Sequence, residues 1–300
     1  MNSRIIALIL SLLFASTLHS QSVPDSFPYP AIPSELKSPT ERANYLAHHY
    51  WDHFDFANST LKDKPSYVEQ AWVDFTDFLP LIPMEEAQSA IKKSFQKAEP
   101  HITALKYFME LAEKYQYNLD SPLKNEEYYR AALEVIINSP TLSMIDKLRP
   151  QQQWALIQKN RIGSTAADFS YKTAKDSIGT LHQLESPQTL LFIHDFDCHT
   201  CLEELNEIRN SEIIQQFIEE KQLTILTLYP HEQVKEWKNE QALYDSQWIN
   251  GYDFRQEIIE NELYALRSSS TFYLLDRDKK VVLKDCPLNT IEERLKQTKE

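Results

Sequence analysis

The sequence predicts a chain in two parts: an all-α domain, then an α/β domain in which strands alternate with helices. Three observations carry this. From Ser38 to about residue 160, apolar residues recur at spacings of three and four, with no strand alternation. Near Arg161-Ile162-Gly163 the pattern changes, and short apolar runs alternate with helical stretches. One run, Leu190-Leu191-Phe192-Ile193, is continuous, as expected of a strand covered on both faces.

The elements follow in order. Residues 1–20 read as an export signal, with Arg4 as the basic start, Ile5 to Ala15 as the apolar core and Ser20 as the small residue before Gln21. The apolar run is shorter than the ~20 residues that span a bilayer, and an uncleaved N-terminal anchor is the alternative. No later segment is long and apolar enough to span, so an exported, periplasmic and soluble protein with no membrane span after signal removal is expected. Residues 21–37 carry Pro24, Pro28, Pro30 and Pro33 and read as an extended lead-in. Residues 38–160 form the helical domain. Ser38-Pro39-Thr40-Glu41 is a capping box, with Ser at N-cap, Pro at N1 and Glu at N3. Ala43, Leu46, Ala47, Tyr50 and Phe54 make the first apolar face. Pro65 opens a second helix through Val68, Ala71, Trp72, Phe75 and Leu79, which Pro80 and Pro83 stop. Met84 to Lys97, Thr103 to Tyr117 and Glu126 to Ile137 follow, then Met144 to about Lys159 with a break expected near Pro150.

Residues 161–300 form the α/β domain. Ala167 to Tyr171, Thr189 to Phe196 and Leu223 to Tyr229 read as strands. Thr271 to Leu275 and Val281 to Leu283 read as a hairpin. Helices are expected after the cysteines to about Arg209, over Ile213 to Lys221, Glu232 to Trp237 and Arg255 to Leu266, and at the end over Thr290 to Lys296.

Composition is that of a globular chain, with 42% hydrophobic and 25% charged residues. The formal net charge of -13 repels phosphate backbones and anionic bilayers, which excludes nucleic acid as a natural partner. Only three cysteines are present, and outside the cytoplasm two of them three apart can rest as a disulfide.

Those two are Cys198 and Cys201, between the continuous apolar run and a helical pattern. At a helix N-terminus the first thiol meets the dipole and unpaired N–H groups, which stabilise its thiolate. The second thiol shares the helical face, within bonding reach. Cys198 is then the exposed nucleophile and Cys201 the buried resolving thiol. Asp195 and Asp197 oppose a thiolate, while a protonated His199 favours it. Two other readings fit the spacing: a static staple, or half of a structural zinc site that wants four ligands. No second Cys-x-x-Cys supplies the other half, and His194 lies on the strand. His49 and His53 are one turn apart on the first helix, but without the Glu of a metalloprotease motif they read as a packing edge. Tyr50, Trp51, Phe54 and Phe56 read as core, and Trp237, Trp248 and Tyr252 as packing in the insertion before Ser270. Glu203 and Glu204 read as a solvated helix face, and Asp168 as a cap or turn residue.

Three stretches carry a resemblance: "ADFSY", "TLLFIHDFDCHTC" and "STFYLLDRDKKVVLKD". On them, residues 161–300 resemble the thioredoxin-like superfamily, in its exported thiol–disulfide branch, which implies an α/β thioredoxin-like fold with a central mixed sheet flanked by helices. The whole chain resembles exported Bacteroidetes proteins that join a helical domain of unknown function to such a domain. The resemblance implies attack by Cys198 and resolution by Cys201, with protein thiols and disulfides and a dithiol donor or acceptor as partners, and no bound cofactor. It implies no activity for residues 38–160. The family places a cis-proline just before the Thr that opens the hairpin, and here Ser270 stands before Thr271. A non-proline cis bond costs about 3 kcal/mol, so a trans peptide is expected, with Ser270 and Thr271 as the contact for a partner chain. The second hairpin strand runs back towards that edge, which makes Cys286 a candidate third redox thiol. The alternative to exchange is a non-catalytic scaffold with a structural Cys198–Cys201 disulfide.

Overall fold

The computed structural model describes residues 27–58 and 65–298. The signal segment, residues 1–20, and the first part of the lead-in fall outside the described residues. The chain divides into two compact units between Val135 and Ile136.

The first unit holds α1 (Pro39–His49), α2 (Pro65–Asp77), α3 (Met84–Ala98), α4 (Ile102–Ala112) and most of α5 (Glu126–Asn138). The capping box closes α1: Ser38 Oγ accepts from the Glu41 N–H at 3.1 Å, and Glu41 Oε2 accepts from the Ser38 N–H at 3.3 Å. Such a cap stabilises a helix by about 1 kcal/mol. Because α1 ends at His49, His53 lies beyond it, and the two histidines do not share one helical face. His49 instead meets Asp52 at 2.7 Å, and Lys97 meets the other oxygen of Asp52 at 3.0 Å. The core is aromatic. Trp51, Trp72, Phe75, Phe95 and Phe108 are buried, with ring centroids of Trp51 and Trp72 4.8 and 5.2 Å from Phe108. Tyr50, Phe54 and Phe56 are buried in the same unit.

The second unit opens with α6 (Met144–Ile157), capped by Ser143 and Asp146. The break expected near Pro150 is absent, and the proline sits inside the helix. A proline here forfeits one rung, the N–H that would reach the Asp146 carbonyl. Strands begin only after residue 160, while the compact unit also takes in α6.

The sheet consists of β1 (Ser170–Thr173), β2 (Ile178–Thr180), β3 (Gln188–His194), β4 (Leu223–Tyr229), β5 (Ile249–Tyr252), β6 (Ser270–Asp276) and β7 (Val281–Lys284). Its order is β2-β1-β5-β4-β3-β6-β7. β3, β4 and β5 are parallel neighbours and the other pairs are antiparallel. Helices α7 (His199–Asn210), α8 (Glu212–Glu219), α9 (Val234–Asn239), α10 (Glu257–Glu260) and α11 (Leu288–Gln297) complete the unit. The continuous run of β3 has its physical reason. Leu190 and Phe192 pack in one buried cluster with α7, α8 and α11, and Leu191 and Ile193 pack in another on the opposite face. Burying each such side chain contributes about 1.5–3 kcal/mol relative to exposure.

Three expectations shift. The Ala167–Tyr171 strand begins only at Ser170, because Asp168 turns the chain by accepting from the N–H groups of Phe169 and His182. The Arg255–Leu266 helix shrinks to α10, since Gln256 and Glu262 take left-handed φ values of 56° and 47° at its two ends. The buried Asp253 carboxylate fixes that short turn, accepting from Ile258 N–H at 2.7 Å and Arg255 N–H at 3.3 Å. β2 and β5 were not expected. Each is short and carries a glycine, and the Tyr171 ring lies against both Gly179 and Gly251.

Candidate functional site

β3 ends at His194, and the chain turns through Asp195, Phe196 and Asp197 into α7. Cys198 is the N-cap, and its sulfur accepts from the Cys201 N–H at 3.2 Å. The two cysteines are joined as a disulfide, with Cα atoms 5.2 Å apart. Cys201, Leu205 and Ile208 form the inward face of α7. Cys201 is fully buried and Cys198 half-buried, so Cys198 is the more exposed of the pair.

The loop before β6 closes over this bond. Ser269 O lies 3.4 Å from Cys201 Sγ and also accepts from the Asp195 N–H at 3.2 Å. Among the described residues every peptide bond is trans, the one before Ser270 included. Ser270 pairs with His194 across the strands. Its hydroxyl donates to Glu204 Oε1 at 3.2 Å, and the Ser268 hydroxyl donates to the Ser270 carbonyl. Thr271 is buried and pairs with Ile193.

Glu204 departs from the sequence reading. Glu203 is solvated, but Glu204 is half-buried, and its Oε2 is enclosed with no hydrogen-bond partner among the described residues. Burial raises its carboxyl above the usual range, Glu207 and Glu203 add to that, and the Ser270 hydrogen bond opposes it. The available signal was its position three residues past Cys201, on the same side of the helix.

Other polar groups surround the bond. Burial raises the Asp195 carboxyl, His231 at 3.1 Å pulls it back, and Asp197 pushes it up again. His199 is 86% exposed and 3.6 Å from Glu203, so its ring lies in solvent. His194 is buried and stacked on Phe192 at 4.5 Å, and burial lowers its ring to about 4. Arg267 and Asp285 form a buried ion pair at 3.6 Å. Cys286 follows directly, half-buried against the apolar cluster that Cys198 also touches. A cleft of about 440 Å³ opens beside the loop, lined by Ile193, Asp195, His231, Leu266, Ser268 and Ser269 among others. Trp237, Trp248 and Tyr252 are buried, as packing residues should be. Among the described residues no group of three or more His, Cys, Asp or Glu is arranged to hold a metal ion. No helix among them is long and apolar enough to cross a membrane.

Comparison with known proteins agrees with this architecture. The family described as "Domain of unknown function (DUF5106)" matches residues 13–160. A thioredoxin-like protein from Bacteroides caccae is 40% identical, over 92% of this chain and 99% of that one, with a TM-score of 0.86. The C-terminal domain of an uncharacterized protein from Bacteroides fragilis is 39% identical over 46% of this chain and 98% of its own, with a TM-score of 0.45. The thioredoxin domain of a thiol-disulfide oxidoreductase from Bacteroides vulgatus is 17% identical over 46% of this chain and 96% of its own, with a TM-score of 0.41. No curated protein matches. With a mixed sheet, a Cys-x-x-Cys at the start of α7 and a full-length relative at 40% identity, the chain belongs to the thioredoxin-like proteins that carry a helical N-terminal domain of unknown function.

Proposed function

We propose that the chain is an exported thiol–disulfide exchange protein, with Cys198 as nucleophile and Cys201 as resolving thiol. One observation carries this: the disulfide spans the first turn of a helix, with Cys198 half-buried and Cys201 fully buried. Exchange then runs through a mixed disulfide on Cys198, which Cys201 resolves. The Ser270-Thr271 backbone is the contact for the partner peptide, and the helical region of residues 38–160 docks a partner. Electrons come from or go to another dithiol protein. The export signal of residues 1–20 supports a periplasmic location, and a mature N-terminus at Gln21, read by mass spectrometry, tests it. Cys286 is the third redox thiol. Oxidation of the Cys201→Ser variant, followed by peptide mapping, should yield a Cys198–Cys286 bond, and its absence removes that role.

The deciding test is equilibration of the full chain with glutathione buffers and thiol trapping. A reversible couple between about -120 and -270 mV is the expected result. The acidic flank of Asp195 and Asp197 and the serine in the proline position favour a second reading, a scaffold with a static bond. A couple below about -300 mV would establish that one instead.

A further inference from the structure

We propose that the cleft beside the disulfide receives a lysine or arginine side chain next to the partner's cysteine, and that Asp195 selects it. This rests on the exchange reading above and names the class of partner. The cleft touches the redox bond through one peptide. Ser269 lines it and places its carbonyl 3.4 Å from Cys201 Sγ, and that carbonyl also accepts from the N–H of Asp195, a second lining residue. The volume of about 440 Å³ has room for a long side chain. One wall is apolar, made by Ile193, Ile259 and Leu266, and the rest includes Asp195, His231 and Arg267.

The charges at this cleft do not cancel. Arg267 is buried against Asp285 at 3.6 Å, which neutralises it. Asp195 meets His231 at 3.1 Å, but the pair stays open to solvent, with side chains 26% and 45% exposed. Burial raises the Tyr229 hydroxyl, and Asp195, Asp197 and Glu236 raise it further, so carboxylates from the β3–α7 turn and from α9 gather at this end of β4. A second, independent feature lies on the same side. Thr271 pairs with Ile193, so the two side chains share one face of the sheet, the face on which Ile193 lines the cleft. Thr271 is buried, and its hydroxyl has no hydrogen-bond partner among the described residues. A buried hydroxyl left unpaired is costly, and an incoming donor removes that cost. A lysine or arginine suits both features. Its methylene stem covers Ile193 and Leu266, and its head donates to Asp195 and to the Thr271 hydroxyl. An acidic side chain is repelled by Asp195, Asp197 and Glu236, and an apolar one leaves both acceptors unmet.

The test uses the reduced full chain and three peptides, Gly-X-Cys-X-Gly with X as Lys, Leu or Glu, each cysteine joined to a neutral pyridyl sulfur. The Cys198 thiolate attacks the peptide sulfur, the bond to the pyridyl sulfur breaks, and that sulfur leaves with the bonding pair as an absorbing thiolate. Cys201 then attacks Cys198 and releases the peptide thiolate. One protein dithiol is oxidised as one peptide disulfide is reduced, and the two thiol protons balance the two leaving thiolates. The Lys peptide should react about tenfold faster than the Glu peptide at about 0.01 M salt, one attraction and one repulsion on the scale of a partly exposed ion pair, with Leu between them. At about 1 M salt the ratio should fall to about twofold. Asp195→Asn should cut the low-salt ratio to about threefold, and a ratio taken within one protein is free of any change in thiol reactivity. Glu219→Gln, on α8 towards the start of β4, makes the same change to the net charge of -13 and should leave the ratio within about 1.5-fold of wild type. A wild-type ratio below about twofold overturns the proposal, as does an Asp195→Asn ratio equal to that of wild type or of Glu219→Gln. A Leu peptide that outruns Lys overturns it too, and assigns the cleft to an apolar side chain. In each of these outcomes the peptides still react and the exchange reading stands. A wild-type chain that releases no pyridyl sulfur from any peptide overturns the exchange reading itself.

Discussion

Reducing Cys198–Cys201 separates a working redox bond from a staple by the size of its effect on stability. The bond joins residues with a sequence separation of three, so the loop it closes is as short as a Cys-x-x-Cys allows. Chain entropy for a loop of about four residues gives a stabilisation of about 2 kcal/mol. Two native features offset part of the loss on reduction. The Cys201 thiol gains a donor for the Ser269 carbonyl 3.4 Å away, and Cys201 stays packed against Leu205 and the β3 cluster. For a unit that runs from Ile136 to Glu300, about 2 kcal/mol lowers the melting temperature by about 4–8 °C. The assay is calorimetry of the full chain, oxidised and after reduction by a phosphine, following the transition assigned to the C-terminal unit. A fall of more than about 15 °C, or loss of the cooperative transition, would refute this estimate and make the bond structural.

Three further outcomes are expected. Gly251→Ala places a Cβ 2.9 Å from Tyr171 Cδ2 and 3.1 Å from its Cβ, so urea unfolding should show a loss of about 1–3 kcal/mol, while Gly179→Ala, which meets only the far end of the ring, costs less. Asn160 sits at φ 49°, donates to the Leu263 carbonyl at 2.9 Å and accepts from the Ala167 N–H at 2.8 Å, so Asn160→Ala should lose about 2–4 kcal/mol and Asn160→Gly about 1 kcal/mol less than that, by the same assay. The His194 ring titrates near 4 in the fold against 6.5 for the free residue, so the unfolded chain binds the extra proton first, and about 3 kcal/mol of stability present above pH 6.5 is lost as pH falls to 4. His194→Phe should flatten that loss in denaturation series from pH 7 to pH 4, and equal slopes in both proteins would count against it.

The elements legible in the sequence are those with two agreeing signals. α1 had both a capping box and a periodic face, β3 and β4 had apolar runs of strand length, and the hairpin had a charged turn between two such runs. Failures cluster where tertiary contact overrides local pattern. β5 is four residues long and pairs β4 and β1, both distant in sequence, and its Gly251 matters because of Tyr171, which is distant in sequence too. Arg255 to Leu266 has helical composition, yet the buried Asp253 carboxylate captures the N–H groups that would start a longer helix. Periodicity carries no trace of such a capture.

At the site, the positions of the cysteines were legible because a strand, a Cys-x-x-Cys and a helix must follow each other in the chain. The environment was not, because it is assembled across the sheet. Ser270 stands where the family resemblance implies a proline ring, and a ring could offer Glu204 no hydrogen bond. With a hydroxyl there, a carboxylate on α7 can be drawn under the loop rather than left in solvent, and its desolvation is only partly offset by that one bond. A half-buried, singly bonded glutamate one turn past a buried cysteine is costly to keep, and the Ser270 hydroxyl offsets part of that cost. The serine and the glutamate therefore explain each other: Ser270→Pro alone should strand Glu204 without its partner, and restoring stability should then take Glu204→Leu or a comparable apolar side chain. Denaturation of the two single variants and the double variant measures that coupling. A double variant no more stable than the sum of the singles would show that the two positions are independent.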